Sequence, residues 1–173
     1  MARFVTGDLH FYHDNIIRYA CRPFASTADM NRTLRDNWNA CVADSDTVYV
    51  LGDFAMFRWD KEHDVEMTFR DLRGRKRLLR GNHDKQYVLD LPWEAVADEE
   101  VVDDVTLLHD GGKYEGIGNQ PVFCSHVHEV WKMRANLLNV GVDVWHFQPV
   151  EFGKAVAYWE YRYAYWKAHG RDA

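Results

Sequence analysis

Six short apolar segments, each bounded by Gly, Asp or Asn, recur along the chain and limit what it can fold into. They are rich in Val, Leu and Phe, a composition typical of buried strands. The segments are RFVTGD at 3–8, TVYVLGD at 47–53, KRLLRGN at 76–82, VTLLHD at 105–110, PVFCSH at 121–126 and LLNVGVDV at 137–144. We predict that these segments form β-strands.

Helical patterns separate the early strands. Apolar residues recur at helical spacing within 28–42, and Ser26 followed by Asp29 predicts a capping box in front of that helix. A second helix is predicted over 61–72. Strands that alternate with helices indicate an α/β fold built in layers.

The C-terminal segment AVAYWEYRYAYWKAHG, at 155–170, is dense in aromatic residues. Four of its side chains share one face at helical spacing: Val156, Trp159, Tyr163 and Trp166. We therefore predict a helix over about 155–169 that packs on the core. The alternation in YWEYRYAY leaves a strand as an alternative, and an aromatic dimer contact is a second one.

Composition and charge exclude several classes of protein. Hydrophobic residues make up 47% of the 173, enough for a core and too many for a disordered chain. The net charge of -6 argues against strong nucleic-acid binding, which normally needs a basic surface. Without an apolar run of ~20 residues or a signal peptide, we expect a cytoplasmic protein with no membrane partner, as a monomer or homodimer.

Two smaller features narrow the choice further. The three cysteines form no CxxC pair, which argues against a disulfide framework or a cysteine zinc site. Segment 70–80 carries six basic residues. We interpret it as a solvated loop leading into a strand, with a positive rim beside a phosphate site as the alternative.

Side chains that bind metals or move protons follow five of the strand candidates. They are Asp8 and His10, then Asp53, then Asn82, His83 and Asp84, then His109, and finally His126 and His128. In open α/β sheets, ligand sites form at the carboxyl ends of the strands. Each motif alone has an ordinary explanation, such as a turn or a hydrogen-bonded histidine, but their combination predicts a metal site.

The ligand types indicate the class of metal. Carboxylate, amide oxygen and imidazole without thiolate suit Mn, Fe, Co, Ni or Zn. Seven candidate ligands are too many for one tetrahedral zinc and suit two metals that share a carboxylate. Two metals ~3.5–4 Å apart form the clamp used for in-line displacement at phosphorus. A single structural metal site is the alternative.

These residues resemble the motifs of the metallophosphoesterase, or calcineurin-like phosphoesterase, superfamily. Its pattern of D-x-H, GD, GNH with a following acid, a lone H and GH-x-H is matched here in order between residues 8 and 128, with Ser125 as the first residue of the last block. The segments HDNIIRYACRPF, NVGVDVW and QPV resemble a small single-domain bacterial and phage branch. The resemblance implies one domain over 1–173, a layered αββα sandwich with its metal site at the C-terminal ends of the strands.

The resemblance also implies roles for the candidate residues. The first metal would be held by Asp8, His10 and His128, the second by Asn82, His109 and His126, and Asp53 would bridge the two. His83 would protonate the leaving oxygen, and Asp84 would orient His83. Two positions depart from the pattern, because Ser125 and Tyr12 stand where glycine is usual.

The implied activity is hydrolysis of phosphate esters by a dinuclear metal centre, through in-line attack of a metal-bridging hydroxide with His83 as general acid. Manganese is the metal expected in vitro. The second block reads GDFAMFRWD without the GD-x-x-D-R-G extension, which favours a phosphodiesterase or monoesterase acting on a small or nucleotide-like substrate. Two roles are open for Trp59, Trp131 and Trp145: packing in the core or stacking on a base of the substrate. A catalytically silent metal-binding scaffold of the same fold is the alternative function.

Overall fold

Two five-stranded sheets pack against each other in the computed structural model, which describes residues 1–57 and 60–169. The first sheet has the order β10-β1-β2-β3-β4. Its strands are β1 (Arg3–Thr6), β2 (Thr47–Val50), β3 (Arg75–Leu79), β4 (Ala95–Ala97) and β10 (Val150–Glu151). Strands β1 to β4 run parallel, and β10 is antiparallel to β1.

The second sheet has the order β5-β6-β7-β9-β8. Its strands are β5 (Glu99–Val102), β6 (Val105–Leu108), β7 (Val122–Cys124), β8 (Met133–Arg134) and β9 (Leu137–Asn139). The three central strands are parallel, and the two edge strands are antiparallel to their neighbours. Each sheet therefore points several carboxyl ends in one direction.

Five helices and two short 3-10 turns complete the described fold. The helices are α1 (Ile16–Tyr19), α2 (Thr27–Cys41), α3 (Glu62–Asp71), α4 (Gln86–Leu89) and α5 (Phe152–His169), and the 3-10 turns are Gly112–Tyr114 and Val142–Val144. Ser26 Oγ accepts a hydrogen bond from Asp29 N at 3.1 Å, as an N-cap should. The Asp29 carboxylate pairs with Arg32 instead of closing the predicted capping box.

Alternation along β2 divides the first sheet between two cores. Val48 and Val50 belong to the core beneath α2 and α3, whereas Tyr49 and Leu51 belong to the core shared with the second sheet. This follows from the opposite orientation of successive side chains in a strand. The predicted layered α/β fold is confirmed.

Helix α2 attaches to the first sheet through an apolar face. Met30, Leu34 and Trp38 are almost fully buried, and each contributes about 1.5–3 kcal/mol on burial. Trp38 Nε1 also donates to Arg73 O at 2.9 Å, which satisfies its buried polar atom. The predicted helix over 28–42 therefore has its expected buried face.

Helix α5 packs its aromatic face into the core between the sheets. Trp159 and Tyr163 are buried there, and Trp159 Nε1 donates to Asn136 O at 2.8 Å. The predicted face packs on the core, although Val156 and Trp166 on it are only partly buried. The alternative of a strand is wrong. None of the described helices has the length and apolar character needed to cross a bilayer.

The segment 137–144 differs from the prediction of one continuous strand. β9 ends at Asn139, and the chain then turns into the 3-10 helix at Val142–Val144. Asn139 Oδ1 accepts from Gly141 N at 2.8 Å, a local side-chain bond that competes with continued strand pairing. Asp143 is carried on this turn rather than on a strand.

Candidate metal centre

The carboxyl ends of strands from both sheets meet at one place. Asp8 follows β1, Asp53 follows β2, and Asn82 follows β3, while His109 follows β6 and His126 follows β7. Just before Asp8, an isolated parallel bridge pairs Gly7, which follows β1 of the first sheet, with Gly141, which follows β9 of the second. The fold therefore brings together the side chains that follow separate strands.

Five of the seven candidate ligands have left-handed backbone conformations. Their φ angles are 52° for Asp8, 51° for His10, 54° for Asp53, 71° for His126 and 49° for His128. Such conformations are uncommon for non-glycine residues and cost about 1–3 kcal/mol each. Repeated strain of this kind is typical of functional sites.

Two of the ligand segments have turn geometry rather than extended backbone. Positive φ at His126 and His128 shows that the HVH segment is not an extended strand. Asn82 and His83 likewise lie in a turn between β3 and α4, not on extended backbone. Turn geometry, rather than strand alternation, sends these neighbouring side chains in different directions.

Asp8, His10 and His128 form a first group of ligand atoms, all within 4.8 Å of one another. Both Asp8 carboxylate oxygens and both His10 ring nitrogens are buried and lack a hydrogen-bond partner within the described residues. Buried polar atoms are almost always paired, because desolvation without a partner is costly. A cation bound by these atoms would satisfy them, so the group fits a metal ion.

The protonation states of Asp8 and His10 in the first group suit metal binding. Burial raises the pKa of Asp8 to about 6. Burial, followed by the charge of Arg22, places the pKa of His10 well below its usual value. A neutral imidazole has a free lone pair, and a nearby cation would draw the Asp8 pKa back down.

Asn82, His109 and His126 form a second group. Asn82 Oδ1 lies 2.9 Å from His109 Nε2 and 3.1 Å from His126 Nδ1, and the two ring nitrogens are 3.1 Å apart. Ligand atoms on one ion with bonds of ~2.1 Å at right angles are ~3.0 Å apart. The triangle therefore fits three ligands of one metal ion.

Asp53 lies between the two groups. Its Oδ2 is 3.4 Å from His10 Nε2 and 3.6 Å from His109 Nε2. Its Oδ1 accepts a hydrogen bond from His83 N at 2.9 Å. A Cβ at Gly81 would lie 2.2 Å from this Oδ1, so only glycine permits the close approach of the β2 and β3 loops.

His83 and Asp84 lie beside the ligand groups. The half-buried His83 ring is 5.6 Å from the His10 ring, centroid to centroid. Asp84 is buried, and its carboxylate accepts from Asp53 N and Phe54 N at 2.9 Å and from Gly81 N at 2.8 Å. Within the described residues no hydrogen bond joins Asp84 to the His83 ring, so Asp84 joins the β2 and β3 loops instead of contacting that ring.

Ser125, which stands where glycine is usual, contacts the candidate ligand His109. His109 Nδ1 lies 2.9 Å from Leu51 O and 3.0 Å from Ser125 Oγ, and Ser125 Oγ donates to the same carbonyl. A carbonyl only accepts, so Nδ1 carries the ring proton and Nε2 keeps the lone pair that faces Asn82. Ser125 thereby helps to orient a candidate ligand.

Ser125→Ala is expected to weaken one metal-binding event by less than tenfold and to lower the free energy of unfolding by about 1 kcal/mol. The effect is small because His109 Nδ1 still donates to Leu51 O. Calorimetric titration with MnCl₂ and urea unfolding measure the two quantities. Unchanged metal affinity would show that the hydroxyl does not orient His109.

The contacts of Tyr12 explain why a side chain is tolerated where glycine is usual. Its φ is 64°, a conformation that glycine adopts more easily. Its hydroxyl lies 2.7 Å from Thr68 Oγ1 and donates to Asp64 O at 3.1 Å, both on α3. These bonds hold the strained loop, so a side chain compensates for the missing glycine.

The sequence reasoning missed several residues at the centre. His13 stands 5.2 Å from His10 between ring centroids, and its buried Nδ1 lacks a partner within the described residues. Arg22 and Asp143 form a buried ion pair behind the first group. All three lie in the flanking segments HDNIIRYACRPF and NVGVDVW, which were the available signal.

An open cleft of about 450 Å³ adjoins the second group, with Arg80 and Lys113 in its lining. Arg80 pairs with Asp98 at 3.1 Å, and Lys113 pairs with Glu99 at 3.0 Å. Within the basic segment 70–80, Arg70 and Arg77 pair with carboxylates elsewhere on the surface. Arg80 is the member of the segment that lines this cleft.

Core packing accounts for two of the three tryptophans considered for base stacking. Trp145 donates to Asn139 O at 2.8 Å, and Lys132 lies 3.5 Å from its ring centroid. Trp131 packs against a small cluster on the second sheet. Trp59 falls outside the described residues.

Comparison with known proteins is consistent with this geometry. The sequence model of the calcineurin-like phosphoesterase family matches residues 1–166. The crystal structure of a protein of unknown function, AQ665 from Aquifex aeolicus, has a TM-score of 0.74 and 20% identity, covering 91% of this chain and 98% of that chain. At this identity the likeness concerns the fold alone.

Two curated proteins share part of the sequence. The uncharacterized protein MJ1445 of Methanocaldococcus jannaschii is 43% identical over 82 residues, which cover 47% of this chain and 46% of that protein. The Gene 66 protein of Mycobacterium phage L5 is 34% identical over 80 residues, which cover 46% of this chain and 38% of that protein. The matches thus span less than half the length of either curated relative.

Proposed function

The chain belongs to the calcineurin-like phosphoesterase family, and from this premise we propose a dinuclear metal-dependent phosphodiesterase acting on a small or nucleotide-like substrate. The family and the Asp/His groups support a metal-dependent phosphoester hydrolase in general. The observation that carries the dinuclear centre is the position of Asp53 Oδ2, within 3.6 Å of a ring nitrogen from each ligand group.

The distances between ligand atoms divide the proposed ligands into two sets, one for each metal ion. Asp8, His10 and His128 would hold one ion. Asn82, His109 and His126 would hold the other, and Asp53 would serve both. Divalent ions at such a centre neutralise the non-bridging oxygens of a phosphate ester and activate water as the nucleophile.

His83 is proposed as the proton donor to the leaving oxygen. Its backbone N–H is fixed by Asp53 Oδ1, while its half-buried ring stays beside the ligand groups. Asp84 supports this arrangement indirectly, because it fixes the backbone of Asp53 and Gly81 on either side. Proton donation by a positioned histidine is typically worth ~10²–10⁴-fold in rate.

The substrate preference depends on the sequence and on the cleft. The GDFAMFRWD segment lacks the arginine pattern of relatives that act on phosphoproteins. The cleft beside the second group is open, but its Arg80 and Lys113 are each paired with a carboxylate. The proposed metal ions would therefore supply the positive charge for a small anionic ester. We further propose that manganese is the preferred metal and that the protein is a single domain over 1–173, present as a monomer or homodimer. The proposal also includes a cytoplasmic location and no strong binding of nucleic acid.

Hydrolysis of bis-p-nitrophenyl phosphate tests the proposed activity. We expect release of p-nitrophenol when MnCl₂ is added to chelator-treated protein, and no release by that protein alone. p-Nitrophenyl phosphate, assayed in parallel, distinguishes diesterase from monoesterase preference. Binding of two metals without turnover of either ester would favour the catalytically silent scaffold instead, and elemental analysis showing one metal per chain would favour a single structural site.

A further inference from the structure

Arg22 and Asp143 form a buried ion pair across a long sequence separation. Arg22 Nε donates to Asp143 Oδ1 at 2.8 Å, and Nη2 donates to Oδ2 at 3.0 Å. The side chains are only 0% and 2% exposed. Burying two charges costs several kcal/mol per ion even when they pair, so a pair of this kind is weak support for a purely stabilising role.

Asp143 connects the pair to the His128 ring. Asp143 Oδ2 accepts a hydrogen bond from His128 Nδ1 at 3.0 Å. This bond fixes the proton on Nδ1 and leaves Nε2 with the free lone pair. Carboxylate partners of this kind orient metal-binding imidazoles and make them better ligands.

Arg22 connects the pair to the loop that carries Asp8 and His10. Its Nη2 donates to Asp8 O at 2.5 Å, and its Nη1 donates to Leu9 O at 3.0 Å. Both Asp8 and His10 have positive φ angles, so this loop needs fixed carbonyls to keep its strained conformation. The planar guanidinium thus contacts this loop and Asp143 together.

We propose that Arg22 and Asp143 are positioning residues that set the geometry of the Asp8, His10 and His128 group, and so tune the affinity of that half of the centre alone. The inference rests on the proposed function, because it assigns this group to one of two metal ions. Neither residue hydrogen-bonds to Asn82, His109 or His126 within the described residues, so the pair has no direct contact with the second group. Loss of such an outer partner typically weakens metal binding 10–100-fold.

The test is calorimetric titration of the chelator-treated full chain with MnCl₂. In Asp143→Asn we expect one of two binding events to weaken 10–100-fold and the other to change less than threefold. Arg22→Lys keeps the positive charge but loses the planar, multidentate guanidinium, and we expect it to weaken the same metal-binding event. If Asp143→Asn does not fold, the comparison is made on Arg22→Lys.

Glu100→Gln is the matched control, because it removes the partner of Arg77 at 3.0 Å in an ion pair outside the metal centre. It is expected to leave both binding events unchanged. Unchanged events in folded Asp143→Asn or Arg22→Lys, or equal weakening of both, would overturn the positioning role. Failure of the wild-type protein to bind two ions would instead overturn the proposed function, so the two failures are distinguishable.

Discussion

Asp53→Ala is expected to lower phosphoesterase activity about a thousandfold and to remove both metals together. Asp53 Oδ2 lies near a ring nitrogen of each ligand group, and Oδ1 holds His83 N. A shared carboxylate contributes to both halves of the centre, so its loss cannot be confined to one. With ~4 kcal/mol of transition-state stabilisation lost, the rate falls about a thousandfold.

Metal content by elemental analysis and kcat on bis-p-nitrophenyl phosphate measure the outcome. Asp53→Asn separates charge from conformation, because asparagine tolerates positive φ and keeps the side-chain shape. Asp103→Ala is the matched control, since Asp103 is an exposed carboxylate with a φ of 48°, close to the 54° of Asp53. Retention of two tightly bound metals in Asp53→Ala would rule out the bridging assignment.

His83→Ala should keep its metals and lose turnover. His83 lies beside the ligand groups without belonging to either of them. The loss should be ~10²–10⁴-fold for esters with poor leaving groups, which need a proton. It should be much smaller for p-nitrophenyl esters, whose leaving group departs as a stable anion.

A pair of esters with alkyl and p-nitrophenyl leaving groups, assayed on wild type and variant, measures this difference. His63→Ala is the control, because His63 is an exposed histidine on α3 outside the ligand groups. Loss of metal from His83→Ala, as expected for Asp53→Ala, would contradict the role of proton donor. An equal loss of rate for both leaving groups would contradict it as well.

The sequence predicts the central strands because buried strands consist of continuous apolar segments. All four residues of β2 are buried, and its segment is correspondingly apolar. β5 reads EEVV, only one of its four side chains is buried, and β8 and β10 have two residues each, so the apolar pattern does not reveal these strands. Edge strands owe their existence to tertiary pairing, which short-range pattern does not record.

The sequence likewise predicts some features of the candidate site and not others. Side chains at the carboxyl ends of strands can be foreseen, because parallel strands bring those ends to one edge. Arg22 and Asp143 could not be foreseen as partners, since 121 residues separate them and neither belongs to a ligand motif. The left-handed backbone at Asp8 and His126 was equally hidden, because such φ angles depend on surrounding loops.

The convergence of ligand residues from two separate sheets has a mechanical consequence. Asp8, Asp53 and Asn82 follow strands of one sheet, and His109 and His126 follow strands of the other. Bound cations would therefore link the two sheets near the Gly7–Gly141 bridge. Because an ion that binds only the folded chain stabilises it by mass action, the same ions that perform the chemistry would also stabilise the packing of the two sheets.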